Sequence, residues 1–259
     1  MPISVASARK ARIVYARSVP QVVWTTLDGT EHYRTADDSV CTAVPRGLAM
    51  RRKGRQHKHG PRHREHYSHH RKSHIWCESG AEEFAMIVAD RDPSVVAYRA
   101  QAIEFVWPLE SPHASHVVDR IDFLDDGGIR LVDVHRTEDD EFEEQAALTR
   151  AACAAIGWQY QVFYGLPRPV TENLLFLCPD RHTWVIEGRQ DLLAAVLAAA
   201  ASPIVIVDLC ERVRPDAPFV VLPIVYHALW HHMLSMNLTV PLRTSMTYVW
   251  RTDTTEQET

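Results

Sequence analysis

The clearest alternation of apolar and polar positions lies in the stretch HVVDRIDFLDDGGIRLVDVH, residues 116–135. Residues 117–124 and 129–134 are rich in apolar and β-branched side chains, and the sequence Asp125-Asp126-Gly127-Gly128 separates them. Two such runs around a glycine-containing turn predict a β-hairpin.

Two carboxylates and an imidazole lie on the predicted hairpin: Asp119 on the first strand, Asp133 and His135 on the second. Because side chains alternate across a strand, Asp133 and His135 share one face. A loop of even length would place Asp119 opposite Val134, whereas an odd-length loop, or a bulge at a left-handed glycine, would place it opposite Asp133 or His135. Together the three side chains could bind a divalent metal ion. The alternative is that the carboxylates pair with neighbouring arginines at the strand ends.

A helix is predicted before the hairpin, because apolar residues recur at helical spacing from Glu78 until Asp92-Pro93 ends the run. Glu82 lies at the border of the apolar stripe. A carboxylate there needs a partner, and a metal ion would supply one; the alternative is an ordinary surface glutamate beside Glu83.

The other elements of this region are two strands before the hairpin, and a helix and a strand after it. They are predicted at residues 94–97, 102–107, 137–156 and 158–164. This order of elements predicts an α/β domain in which helices flank a mixed sheet.

The sequence Leu166-Pro167-Arg168-Pro169 predicts a linker, which divides the chain into residues 1–166 and 167–259. Beyond it the pattern is mainly helical and predicts a smaller, winged-helix-like domain. The predicted elements are helices at residues 172–177, 189–201, 204–213 and 222–234, and a β-hairpin at residues 238–250.

Positive charge is concentrated between residues 51 and 74, where nine Lys and Arg residues and seven histidines accompany one acid, Glu65. This segment has a charge of +8, so the rest of the chain carries −13 within the total of −5. A basic segment on an acidic protein is typical of contact with a polyanion such as the DNA backbone, although many charged runs are simply solvated. Zinc is the weaker alternative, since the segment lacks cysteine. The predicted DNA contacts are Arg51, Arg52, Lys53, Arg55, Lys58, Arg62, Arg64, Arg71 and Lys72.

Cysteine usage and hydropathy indicate a cytoplasmic protein. The five cysteines are scattered without a CxxC pair, which is typical of a reducing compartment. The longest apolar run, residues 192–201, is too short to cross a membrane, and the first residues show no secretion signal. We therefore expect no membrane contact.

The chain resembles the TnsA-like endonuclease subunits of heteromeric bacterial transposases. The similar motifs extend over roughly 100 residues. They are Tyr67-Ser68-His69, residues 78–82, Asp92-Pro93, Gln101, residues 116–119, Asp126-Gly127, residues 131–135, and Ala151, Cys153, Gly157 and Trp158, and the residues 222–230 and 238–242 also look similar. The resemblance implies a restriction-endonuclease-like catalytic domain and a winged-helix-like C-terminal domain.

The resemblance also implies a magnesium or manganese site. Its ligands would be Glu82, Asp119 and Asp133, with the backbone carbonyl of Val134. The implied activity is cleavage of one DNA strand at transposon ends by metal-activated water, next to a separate DDE-type transposase and an AAA+ ATPase. The family usually has lysine where His135 stands, so His135 is expected to position or deprotonate the water.

Two departures from the family pattern open an alternative. His135 would stabilise negative charge less well than lysine, and Gln101 lacks the proline that usually follows it. The alternative is a catalytically impaired, architectural DNA-binding subunit of the same transposition complex.

Overall fold

The computed structural model describes residues 19–37, 40, 43–51, 64–68, 72–107, 114–137 and 140–252. The chain divides into two compact units, Met1–Gly165 and Leu166–Thr259. The first unit contains a large sheet with helices against it, and the second is mainly helical. Among the described residues, every helix is too short or too polar to span a lipid bilayer.

The described elements of the first unit are β1 (Gln21–Thr26), β2 (Glu31–Thr35), β3 (Leu48–Ala49), β4 (Arg64–Ser68), β5 (Ser73–Cys77), α1 (Gly80–Arg91), β6 (Val95–Trp107), β7 (Ala114–Leu124), β8 (Ile129–Val134), α2 (Asp140–Ala155) and β9 (Gln159–Phe163). The main sheet has the order β2-β1-β6-β7-β8-β9, with β3 paired to β1. Its neighbours are antiparallel except β8 and β9, which are parallel and joined through α2. The predicted α/β class, with a mixed sheet flanked by helices, is confirmed.

Helix α2 packs against the end of the sheet that carries the hairpin. Ile121 of β7 and Leu131 of β8 form one core cluster with Cys153 and Ile156 of α2 and its C-terminal end, and each of these side chains is at most 1% exposed. Burying one such aliphatic side chain contributes about 1.5–3 kcal/mol. This cluster therefore holds β7 and β8 rigidly beneath the helix.

Helix α1 packs through a second cluster. Met86 and Ala89 lie with Tyr98 of β6 and Leu124 of β7, all of them buried. Ser79 caps the N-terminus of the helix, and its hydroxyl oxygen accepts from the backbone N–H of Glu82. The first turn of α1, with Glu82, is fixed relative to β7 in this way.

The structure corrects the prediction of two strands before the hairpin. They form the single strand β6, which has 13 residues and a bulge at Gln101. Gln101 has a φ of 46°, which is unusual for a residue other than glycine. The bulge interrupts the alternation of side chains, so the sequence gives the appearance of two short strands.

The basic segment also contains regular structure. Strands β4 and β5 pair as an antiparallel hairpin that forms a separate two-stranded sheet. Buried Asp90 of α1 links this hairpin to the rest of the unit, because Nε2 of His66 lies 2.8 Å from its Oδ2 and the hydroxyl of Tyr98 donates to its Oδ1. The hydrophobic pattern did not predict these strands.

The described helices and strands of the second unit are α3 (Arg168–Leu177), α4 (Gln190–Ala199), β10 (Ile204–Val205), α5 (Ile206–Val213), α6 (Leu222–Trp230), β11 (Leu234–Ser235) and β12 (Tyr248–Arg251). The three strands form a small sheet in the order β10-β12-β11. Among the described residues of this unit, four α-helices are present as expected, although the last one ends at Trp230.

The predicted hairpin at residues 238–250 is wrong. Strand β12 pairs instead with β10 and β11, which both precede that stretch. The intervening loop is held by Asn173 of α3, whose amide Nδ2 donates to the carbonyls of Leu238 and Val240 and whose Oδ1 accepts from Leu242. These bonds satisfy the loop backbone without a strand partner.

Candidate functional site

The register of the β7–β8 hairpin brings its two carboxylates together. Pairing runs from Phe123 opposite Ile129 to Arg120 opposite Val132. The loop between the strands has three residues, because the N–H of Leu124 donates to the carbonyl of Gly128 at 2.9 Å. Gly127 has a φ of 85°, the left-handed conformation that this loop requires. The odd-length alternative considered from the sequence is thus the one that the structure adopts.

Continuing the same register places Asp119 directly opposite Asp133. At this position side chains replace the regular backbone pairing. The N–H of Val134 donates to Oδ2 of Asp119 at 2.8 Å, and the N–H of Asp119 lies 3.3 Å from Oδ1 of Asp133. The strands therefore separate at the point where each presents a carboxylate to the other.

Asp133 is buried, with 1% of its surface exposed, and its Oδ2 has two further partners. Nε2 of His116 lies 2.7 Å from this atom, and the hydroxyl of Tyr160 on β9 donates to it at 2.6 Å. Neither residue was predicted from the sequence to belong to the site. His116 was visible only as part of a motif three residues before Asp119, and Tyr160 reaches the site through the parallel pairing of β8 and β9.

The electrostatics of the pair are unfavourable for two negative charges. Burial raises the pKa of Asp119 to about 7, and the nearby carboxylates of Asp133 and Glu82 contribute to the increase. The backbone N–H of Val134 and the imidazole of His116 oppose it. Clustered carboxylates whose charge is not balanced are typical of sites that bind a cation.

Glu82 is close enough to influence Asp119, but its carboxylate is engaged at the start of α1. Its Oε2 accepts from the backbone N–H of Glu78 at 2.9 Å, and its Oε1 accepts from the hydroxyl of Ser79 at 3.0 Å. This arrangement is a variant of the capping box. A metal ion was expected from the sequence to be the partner of the Glu82 carboxylate. In this structure the N-terminus of the helix supplies that partner.

His135 lies at the end of β8, and its backbone N–H donates to Phe163 of β9. Its ring stacks on Phe142 of α2, with ring centroids 4.0 Å apart, and its Nδ1 forms a short hydrogen bond with the carbonyl of Thr137. Since a carbonyl oxygen can only accept, Nδ1 carries the proton, and Nε2 carries the lone pair in the neutral ring. The described contacts of the His135 ring, with Phe142 and Thr137, therefore lie outside the carboxylate pair.

Gln101 lies in the β6 bulge across from Asp119, because pairing shifts between Ala100 opposite Arg120 and Ile103 opposite Val118. Its side chain is buried, and its Oε1 accepts no hydrogen bond from the described residues. Its backbone carbonyl accepts from the N–H of Arg51. The structure thus places Gln101 beside the site, in the bulge that lies across from Asp119.

Three of the predicted DNA contacts can be described. Arg51 binds Glu104 at 2.9 Å and Glu31 at 2.7 Å and is 12% exposed, so its guanidinium is engaged inside the unit, and its expected phosphate contact stays a prediction. Arg64 pairs with Glu83 but is 58% exposed, and Lys72 is exposed at the tip of the β4–β5 hairpin. The other predicted contacts, Arg52, Lys53, Arg55, Lys58, Arg62 and Arg71, lie outside the described residues.

The carboxylate oxygens with the fewest hydrogen bonds from the described residues are Oδ1 of Asp119 and Oδ1 of Asp133, which makes them the atoms most available to a hard cation. Each atom belongs to a carboxylate whose other oxygen holds the shorter hydrogen bonds. Within the described ranges, no group of three or more His, Cys, Asp or Glu residues is arranged as a metal cage. A third carboxylate would come from Glu82 only after it left the helix cap.

Comparisons with known proteins add no family assignment: the sequence matches no protein-family model, and no curated protein is significantly similar to it.

Proposed function

We propose that the chain is a metal-dependent DNA endonuclease subunit of a heteromeric transposase, similar to the TnsA-like subunits. It cleaves one strand at the transposon ends by hydrolysis. The observation that carries this proposal is the pairing of Asp119 with Asp133 at the open end of the β7–β8 hairpin. Two adjacent carboxylates on neighbouring strands are a common basis of magnesium sites in phosphodiester hydrolysis.

The architecture supports the proposal. A helix that carries a glutamate precedes an antiparallel hairpin that carries two aspartates, and α2 then leads to a parallel strand. This order agrees with a restriction-endonuclease-like domain. The helices and three-stranded sheet of the second unit agree with a winged-helix-like domain.

The residues that would hold Mg²⁺ or Mn²⁺ are Asp119 and Asp133 through their Oδ1 atoms, with the carbonyl of Val134 and the carboxylate of Glu82. A bound cation supplies a water of lowered pKa and neutralises charge on the phosphate. The repulsion from Asp133 and Glu82, which adds to burial in raising the pKa of Asp119, would be balanced by the charge of the cation. Because its Nδ1 is protonated, His135 would accept a proton from water at Nε2.

The implied macromolecular partners are double-stranded DNA at the transposon ends, a DDE-type transposase and an AAA+ ATPase. Two exposed cations of the β4–β5 hairpin, Arg64 and Lys72, support a backbone contact with DNA. Such contacts release counterions, so binding should weaken steeply as the salt concentration rises.

A second candidate is an architectural subunit that binds DNA without cutting it. Two observations favour it: the carboxylate of Glu82 is used in the helix cap, and histidine stands at position 135, where the family usually has lysine. The fold and the exposed cations of the β4–β5 hairpin would serve DNA binding without cleavage equally well.

Nicking of a labelled transposon-end duplex tests the proposal, with Mg²⁺ or Mn²⁺ and the partner subunits present. We expect wild type and the exposed control Asp216→Ala to nick the duplex and Asp119→Ala to fall to background. Cleavage that survives in Asp119→Ala would refute the site. If wild type fails to cut and His135→Lys cuts, the architectural candidate is the correct one.

A further inference from the structure

The two oxygens of Asp133 have different surroundings. Oδ2 lies 2.7 Å from Nε2 of His116 and 2.6 Å from the hydroxyl of Tyr160. In the described part of the chain, Oδ1 has only the backbone N–H of Asp119, at 3.3 Å. Both short hydrogen bonds therefore hold the same oxygen.

The roles of the donors follow from their chemistry. Tyr160 donates its hydroxyl proton to Oδ2, and the N–H of Asp119 points at Oδ1. A carboxylate surrounded in this way accepts, so Nε2 of His116 is assigned as an N–H donor. Two short bonds to Oδ2 fix the rotation of the carboxyl group about its side-chain bond, and Oδ1 is consequently held on the side of Asp119.

We propose that His116 is a positioning residue of the candidate site, which acts with Tyr160 to hold Oδ1 of Asp133 in place for a divalent cation. The inference rests on the proposed function, since it assumes that Asp133 binds a metal ion. Carboxylates that ligate a metal are usually oriented by such outer hydrogen bonds, and their loss typically weakens metal binding about 10- to 100-fold.

The burial of the contact supports this role. His116 is 19% exposed and Asp133 is 1% exposed, so water has little access to the hydrogen bond between them. A hydrogen bond in such an environment holds its geometry better than one on the surface. His135, the histidine singled out from the sequence, makes its described contacts with Thr137 and Phe142 instead.

The test is titration of the full-length protein with Mn²⁺ alone, followed by electron paramagnetic resonance of the free ion at a fixed pH. We expect His116→Ala and Tyr160→Phe each to weaken binding by about 10-fold or more. His116→Gln keeps an N–H donor and should recover part of the loss. The control His74→Ala removes an imidazole that is 63% exposed and should bind as wild type does.

The outcomes separate this inference from the proposed function. If Asp119→Ala loses Mn²⁺ binding while both His116→Ala and Tyr160→Phe bind as tightly as wild type, the metal site stands and the positioning role is wrong. If wild type does not bind Mn²⁺, or if Asp119→Ala binds it as tightly as wild type does, the metal site and the positioning role are both wrong. If His116 only stabilises the fold, His116→Ala should have a lower melting temperature than wild type. The Mn²⁺ affinities of folded His116→Ala and of Tyr160→Phe should then equal that of wild type.

Discussion

The two ends of the β7–β8 hairpin hold their buried charges in opposite ways. Near the turn, Arg120 binds Asp122 through two hydrogen bonds, at 2.6 and 3.0 Å, and also donates to the carbonyl of Ala85 in α1. Arg130 binds the same aspartate at 3.0 Å and Asp92 at 2.8 Å. Two arginines thus balance two aspartates, although Asp122 is completely buried.

At the open end, the charges do not cancel. Asp119 and Asp133 face each other, the carboxylate of Glu82 adds a third negative charge, and no arginine or lysine is described in contact with the aspartate pair. The neighbouring donors are a histidine and a tyrosine, which both bind Asp133, and burial together with the nearby carboxylates raises the pKa of Asp119 to about 7.

The contrast separates a structural arrangement from a candidate functional one. A buried ion network with matched charges stabilises the position of α1 on the sheet and needs no ligand. Like charges brought together without a cation reduce the stability of the fold. A cluster of this kind therefore indicates a site for binding or catalysis. Because both clusters share one hairpin, substitutions at its two ends can be compared directly.

The largest effect is expected at the turn end. Asp122→Ala would leave the guanidinium of Arg120, which is 7% exposed, without its carboxylate partner. We expect the free energy of unfolding to fall by about 3–5 kcal/mol, as measured by urea denaturation. Asp216→Ala removes a carboxylate that is 72% exposed and should cause no measurable change. A loss below about 1 kcal/mol for Asp122→Ala would show that this network contributes no more to stability than an ordinary surface ion pair does.

A smaller effect, dependent on pH, is expected at the open end. The pKa of Asp119 is raised to about 7 from its usual 3.8, so the folded protein retains a proton that the unfolded chain releases. The stability of wild type relative to Asp119→Asn should therefore be highest below pH 4 and fall as the pH rises to 8. Each pH unit between the two pKa values corresponds to about 1.4 kcal/mol, so the total change is at most about 4 kcal/mol.

Asp92 provides the control with the opposite sign. Partial burial raises its pKa, but hydrogen bonds from Ser94 and the guanidinium of Arg130 outweigh this and lower it overall. Its stabilising contribution is present above its unfolded pKa of 3.8 and is lost as the pH falls through the lower folded pKa. Equal pH dependence in Asp92→Asn and Asp119→Asn would show that the two ends do not differ electrostatically.

The parts of the fold that depend on local pattern were predictable from the sequence. Hydrophobic spacing indicated α1, the hairpin and the approximate ends of α2, and strand patterning selected Asp119 and Asp133. These features are determined by residues close together in the chain, where side-chain period and helix caps decide the structure.

The contacts that define the site could not be predicted from the local sequence pattern. Tyr160 reaches Asp133 because β9 pairs in parallel with β8 after a helical crossover, and Arg120 reaches the carbonyl of Ala85 in α1. Glu82 was expected to need a metal ion, but the helix terminus competes for the same carboxylate. The register itself was open between two alternatives, since it depends on the backbone conformation of one glycine.

That glycine gives the smallest of the expected effects. Gly127 has a φ of 85°, and a Cβ added there would meet no atom within 4 Å, so Gly127→Ala should reduce stability only through backbone strain, by about 1–2 kcal/mol. Gly47→Ala is the matched control, because an added Cβ would make an ordinary 3.7 Å contact with Leu27.

Mn²⁺ binding by Gly127→Ala shows how the backbone strain at this position is relieved. If the three-residue loop is retained, Asp119 stays opposite Asp133 and affinity is kept. If the loop changes length by one residue, Asp119 moves opposite Val134 and Mn²⁺ binding is lost with the pairing.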